Sequence, residues 1–279
     1  MDRFALVAAN RLVGNRDGEG CLEIVLSGSA LVAETRCLAA ITGGDLQPSV
    51  NGRPVPGWTS ICLERGDRLA FGARRLGARA YLAVAGGLEG ERWLGSVSTY
   101  LLVRRGGIGG RALKVGDMLM LANEPARPLV TGRHLPESLR PAYSASNTAE
   151  LAVIPGPQLN RMAPDSRELF FSQEYEISRD SDRMGYRLEG EKLEMKGPEL
   201  LSFGLTYGCV QVPRSGQPIL LMADHQTVGG YPVVAVVVRA DLPIAAQLLP
   251  GDKLRFWPTS VPAAQKRWME LMRALQRLE

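Results

Sequence analysis

The sequence predicts a mainly β protein with a few short peripheral helices and a C-terminal helix. Three observations predict it. From Cys21 onward, brief β-branched or aliphatic runs alternate with Gly, Pro, Asn and Asp, the texture of a barrel or sandwich. Asn51-Gly52 lies between Pro48-Ser49-Val50 and Arg53-Pro54-Val55 and suits the positive φ angles of a type I′ hairpin turn. A Gly-Asp pair also introduces an apolar run three times, at Gly66-Asp67-Arg68-Leu69, Gly116-Asp117-Met118-Leu119 and Gly251-Asp252-Lys253-Leu254, each expected to be a turn feeding a strand.

In chain order, Asp2 to Val13 places Phe4, Val7, Ala8 and Leu12 on one helical face, with Gly14 where a left-handed C-terminal cap would sit. Strands are expected at Leu22 to Leu26, Cys37 to Thr42, Arg79 to Val84 and Met118 to Leu121. Between Ala122 and Ala149 the apolar periodicity lapses among Pro125, Pro128, Pro136 and Pro141, so residues 126–148 read as a linker between domains at 1–125 and 149–279. The second half resumes with Leu151 to Ile154, a short helix near Asp165 to Phe171, and strands at Ile219 to Met222, Val233 to Val238 and Lys253 to Trp257. Asp241 followed by Pro243 starts another brief helix. From Ala263 to Leu278 an amphipathic helix carries Trp268, Leu271, Met272, Leu275 and Leu278 on one face, to be covered by the core or by a partner subunit.

The 279 residues are 45% apolar and 22% charged, enough for a substantial core and against disorder. Lys and Arg outnumber Asp and Glu by only 33 to 29, spread along the chain, which does not argue for nucleic acid. No signal peptide opens the sequence, and no apolar run approaches the roughly 18 to 20 residues of a membrane span. The cysteines Cys21, Cys37, Cys62 and Cys209 lack metal or redox spacing and read as buried free thiols, so a reducing cytoplasm is expected.

Most catalytic signatures are absent. There is no phosphate loop, and His134 and His225 are the only histidines, which argues against zinc hydrolysis and predicts no metal. Gly107, Gly109 and Ala112 match a dinucleotide fingerprint in spacing, but Lys114 to Asp117 reads as a turn where a helix should run. Met195-Lys196 shares only half of the biotin carrier pattern and reads as a surface turn. Two segments hold polar residues in a density that a core would not choose: Ser181-Asp182-Arg183-Met184-Gly185-Tyr186-Arg187, and Asp224-His225-Gln226-Thr227-Val228-Gly229-Gly230-Tyr231. The catalytic candidates there are Asp182, Asp224 and Tyr186. Arg183 is the expected anchor for an acidic substrate, because a guanidinium binds a carboxylate through two parallel hydrogen bonds. Arg187, His225, Gln226 and Thr227 join it as binding candidates. The alternative is that these acids and arginines pair with one another and brace the loops.

The same segments carry a resemblance. Leu82 to Leu88, Leu94-Gly95-Ser96 with Ser98-Thr99-Tyr100, Gly110 to Leu113, Ser181 to Gly190, Gln211-Val212-Pro213, Gly216 to Ile219 and Gln226 to Pro232 resemble the family of biotin-dependent carboxyltransferases and 5-oxoprolinase C subunits, along nearly the whole chain. That family includes allophanate hydrolase subunit 2, KipA-like proteins and the carboxyltransferase subdomain B of urea carboxylase. The resemblance implies cyclophilin-like β-barrels in both domains, adds Ser98 and Gln211 to the substrate-binding set, and implies a non-autonomous enzyme subunit. Its expected companions are 5-oxoprolinase subunits A and B, the KipI-like companion among them, with ATP bound mainly by those partners while a cyclic amide is opened to glutamate. Two alternatives are a non-enzymatic KipA-type regulator and a carboxyltransferase half, the latter served by biotin. Relatives open with a further strand, so the N-terminal domain is expected to lack it. Val97 and Phe203 stand where the resemblance leads one to expect an arginine and an acid.

Overall fold

The computed structural model describes residues 1–26, 29–125, 128, 130–143 and 148–278. Among the described residues it is mainly β, with four α-helices, and it divides into two compact units. One comprises Asp2–Arg140 with Met272–Glu279; the other comprises Met1 and Pro141–Leu271. Residues 126, 127, 129 and 144–147 of the expected linker lie outside the described residues.

The N-terminal unit opens with α1 (Arg3–Leu12). Asp2 caps it through a 2.9 Å bond from the N–H of Ala5, its expected apolar face is buried, and Gly14 takes φ +80°. The strands are β1 (Leu22–Val25), β2 (Ala30–Val32), β3 (Cys37–Asp45), β4 (Ser49–Val50), β5 (Arg53–Pro54), β6 (Thr59–Leu63), β7 (Arg68–Ala70) and β8 (Leu76–Val84). They form two four-stranded sheets, β1-β8-β3-β6 and β2-β7-β4-β5. Among the described residues neither sheet closes on itself.

Side-chain alternation explains why β3 and β8 are buried on both faces. Ala39, Ile41, Ala80 and Leu82 share a core with Leu69 of β7, and on the other face Thr42 donates to the carbonyl of Ala5 in α1 (2.7 Å). Asn51 (φ +50°) and Gly52 (φ +80°) form the predicted hairpin turn between β4 and β5.

All three Gly-Asp pairs fold as the same turn. Gly66, Gly116 and Gly251 adopt φ of +90°, +91° and +87°. In each, the aspartate carboxylate accepts the N–H three residues earlier, from Glu64 (2.8 Å), Lys114 (2.8 Å) and Leu249 (2.9 Å). Only two feed strands. The strand expected at Met118 to Leu121 does not form: Met118 and Met120 are exposed, and Leu121 makes an isolated bridge with Leu88 because no neighbouring strand offers a ladder. The expected linker is also shorter than its composition suggested. The N–H groups of Arg133 and Leu135 donate to Ser60 Oγ and to the carbonyl of Trp58, and Leu135 is fully buried, so the chain up to Arg140 packs in the N-terminal unit.

The second unit is a closed seven-stranded barrel. Its elements are β9 (Thr148–Pro155), α2 (Pro164–Ser172), β10 (Tyr175–Ile177), β11 (Gly185–Glu189), β12 (Phe203–Gly204), β13 (Cys209–Gln211), β14 (Ile219–Leu221), β15 (Val228–Gly229), β16 (Val233–Val237), α3 (Leu242–Ala245), β17 (Lys253–Pro258) and, up to Leu271, α4 (Val261–Gln276). The barrel order is β10-β11-β14-β13-β16-β9-β17, with β12 and β15 as a separate ribbon. Neighbours are antiparallel except β9 and β17. Leu151, Val153, Tyr186, Leu188, Val210 and Leu220 fill it, and Phe170 of α2 stacks on Phe256 at 5.1 Å. α4 packs Leu271 against Ala152, Val238 and Ala240, and buries Leu275 and Leu278, so its apolar face is covered by its own chain. The four cysteines are free, but only Cys209 is buried; Cys21, Cys37 and Cys62 are partly exposed. Among the described residues no helix is long and apolar enough to cross a membrane.

Candidate functional site

A cleft of about 1130 Å³ opens on the barrel unit. One wall is the segment expected to be functional. Asp182 Oδ1 accepts the N–H groups of Met184 (2.8 Å) and Gly185 (3.2 Å), a side-chain-closed turn that delivers the chain into β11. Arg187, on β11, then extends into solvent at the cleft.

Met195 to Leu200 line the cleft as well. Lys196 donates its N–H to the carbonyl of Arg161 (2.7 Å), and the Arg161 guanidinium donates to the carbonyl of Pro198 (2.8 Å), fixing that loop. Glu199 and Arg214 face each other at 3.4 Å, both largely exposed, a pair that screening leaves weak. Arg187 and Lys196 have no side-chain partner among the described residues. Ile219, Leu221 and Pro213 supply apolar surface.

The floor is amide. β13 shifts register against β16 between Val210 and Gln211, an irregularity of the kind that re-aims a side chain. Gln211, 1% exposed, donates through Nε2 to the carbonyl of Tyr231 (3.1 Å) and accepts from Gln226 Nε2 (3.4 Å). A positively biased rim around a paired-amide floor can hold a carboxylate and orient a neutral amide beside it.

Of the ten sequence candidates, Asp182, Arg187, Gln211 and Gln226 line this cleft. Arg183 and Asp224 meet each other instead, Nε to Oδ2 at 2.9 Å and Nη2 to Oδ1 at 3.3 Å, and the Asp224 N–H donates to the Arg183 carbonyl (2.8 Å). They brace the two segments together, with their charges spent on one another. Tyr186 points inward, 2% exposed, and donates to the carbonyl of Leu248 (3.1 Å); alternation along β11 sends it to the core while Arg187 faces out. His225 Nδ1 lies 2.6 Å from the Gln226 carbonyl, and Thr227 offers its own carbonyl to the N–H of Leu205. Neither lines the cleft. Ser98 belongs to the N-terminal unit, where its N–H donates to Ser96 Oγ (3.0 Å).

Arg161, Lys196 and Arg214 were missed as site residues. Lys196 lies in the stretch set aside as a surface turn; the signal available was its Lys-Gly-Pro-Glu run between the apolar Leu193 and Leu200-Leu201.

The chain belongs to the family described as carboxyltransferase domain, subdomain A and B, which matches residues 1–258. It is 36% identical to the 5-oxoprolinase C subunit of Haemophilus influenzae, over 95% of this chain and 84% of that protein. The protein of the same name from Escherichia coli is 36% identical over 100% of this chain and 87% of its own length. The solved urea carboxylase of Kluyveromyces lactis superposes on the whole chain with a TM-score of 0.93 at 29% identity, and this chain spans 26% of it. The relationship read from the motifs is thereby confirmed.

Proposed function

We propose that this chain is the C subunit of a multi-subunit, ATP-dependent 5-oxoprolinase, and that the barrel cleft receives 5-oxoproline. The observation that carries this reading is the 36% identity to two 5-oxoprolinase C subunits along most of their lengths. 5-Oxoproline is a carboxylate attached to a small cyclic amide. Arg187 pairs with its carboxylate through parallel hydrogen bonds and Lys196 adds a second positive charge. Gln226, held by Gln211, faces the ring amide with a donor and an acceptor. Asp182 keeps Oδ2 as the proton acceptor, Oδ1 being occupied by the turn.

The sequence has no phosphate loop, and this reading assigns ATP mainly to companion subunits A and B. The cleft volume, above the roughly 300 to 1,000 Å³ of a drug-sized pocket, leaves room for a companion to complete the site. A second reading, a carboxyltransferase half using biotin carried elsewhere, is favoured by the superposition with urea carboxylase.

The test is reconstitution with 5-oxoprolinase subunits A and B. ATP hydrolysis stimulated by 5-oxoproline only when this chain is present is the expected result. Equal hydrolysis with and without the chain overturns the reading, and carboxyl transfer from carboxybiotin in its place selects the second one.

A further inference from the structure

Residues 88–122 of the N-terminal unit leave the sheet and return. The base of this excursion is closed by the bridge between Leu88 and Leu121, and by donation from the N–H of Ala122 to the carbonyl of Gly87 (2.9 Å). Inside it, Glu91 bridges Gly107, Tyr100 bridges Arg105, and the rings of Trp93 and Tyr100 stack at 6.1 Å. Arg111 and Asp117 form a bidentate pair (2.7 and 2.8 Å). Backbone packs on backbone: a Cβ on Gly106 would fall 2.1 Å from the carbonyl oxygen of Ser98. The excursion is braced into one shape.

That braced shape holds its apolar side chains outward. Among the described residues nineteen large hydrophobics are exposed, and nine of them fall between Leu94 and Leu121. Leu94, Leu102, Val115 and Met118 are each more than 60% exposed. Exposed apolar groups concentrated in this way mark an interaction surface on a folded protein. The charge around them has a sign. Five cations and three acids lie between residues 88 and 122; two acids are spent internally, on Arg105 (3.6 Å) and on Arg111. Arg104 has no side-chain partner among the described residues, and Lys114 acts on Asp117 only as a nearby charge, Asp117 being bonded to Arg111.

We infer that this excursion is the docking surface for a companion subunit that presents an apolar patch rimmed by carboxylates. The inference rests on the proposed role in a 5-oxoprolinase and adds where the companion sits. Charge decides against a second copy, because the same face brought against itself sets cation against cation on a chain already carrying net +4.

The experiment uses the intact chain with 5-oxoprolinase subunits A and B as probe, followed by sedimentation velocity and titration. The variants are Leu102→Glu with Val115→Glu, and separately Arg104→Glu with Lys114→Glu. All four side chains are exposed, so thermal melting of the chain should not change. The expected result is a wild-type complex weakened at least tenfold by either pair, and a salt dependence reduced in the charge-reversed pair. An unweakened complex overturns the inference while leaving the 5-oxoprolinase reading standing; no complex with the wild type overturns both. A wild-type homodimer broken by the variants, or flotation with phosphatidylglycerol vesicles lost in them, assigns the surface to another occupant and also overturns it.

Discussion

Tyr81 lies where α1 meets the sheet, 1% exposed, donating to Glu23 (2.7 Å) and accepting from the N–H of Asp2 (2.7 Å). Burial first, then the negative charge of Glu23 and Asp2, pushes its phenol well above the usual tyrosine range, and partial burial raises the Cys21 thiol to about 12. Both groups are thus held protonated by the fold. Their contribution is complete below the unfolded values, about 10 for tyrosine and about 8.5 for cysteine, and is lost as pH rises through the folded ones. Denaturant unfolding at pH 8 and pH 11 should show a loss of stability in alkali, and Tyr81→Phe should make that loss smaller. At neutral pH the same variant costs about 1 kcal/mol for the missing hydrogen bonds.

In the cleft, the residue types were legible and their pairing was not. Nothing local distinguishes Arg183 from Arg187, four positions apart; only the fold brings Asp224, 41 residues away, against the first of them. Arg187→Ala is expected to raise KM for 5-oxoproline at least tenfold in the reconstituted enzyme with the complex still formed. Arg183→Ala is expected to lower stability instead, by roughly 1–2 kcal/mol, since Asp224 is only partly shielded from water. Urea unfolding and steady-state kinetics on the two variants separate the roles.

α4 shows how an amphipathic element is fastened as well as buried. Asp241, fully buried, accepts the N–H of Ala152 (2.8 Å) and a bidentate contact from Arg267, while Arg239 lies over Trp268 at 4.2 Å. Removing Arg267 leaves a buried carboxylate with one backbone donor. Arg267→Ala should therefore destabilise by about 3 kcal/mol, and calorimetry of the variant should show a lower Tm with the barrel folded at room temperature. Such helices were readable because their apolar spacing runs over ten residues or more in α1 and α4. Strands of three residues, such as β2 and β10, carry too few alternations to announce themselves, and their pairing comes from partners far along the chain. The Gly-Asp turns were readable for a local reason: the carboxylate closes its own turn regardless of the residues after it. Whether those residues then form a strand depends on a neighbouring strand to pair with, and after Gly116 there is none among the described residues.

The whole chain combines a pair of sheets with a barrel, and its family was visible in long motifs that include cleft residues Asp182, Arg187, Gln211 and Gln226. The unit boundaries were hidden, because residues 132–140 have the composition of a linker and yet hydrogen-bond to Trp58 and Ser60, contacts that only the folded chain creates. Function at this level reduces to whether the two polar stretches of the barrel build one anion site. Titration of 5-oxoproline into this chain mixed with 5-oxoprolinase subunits A and B, read by calorimetry with wild-type chain and with Arg187→Ala plus Lys196→Ala, answers that. Saturable binding by the wild type that weakens at least tenfold in the double variant is the predicted result; equal affinity for both would place the substrate elsewhere and contradict the assignment of this cleft.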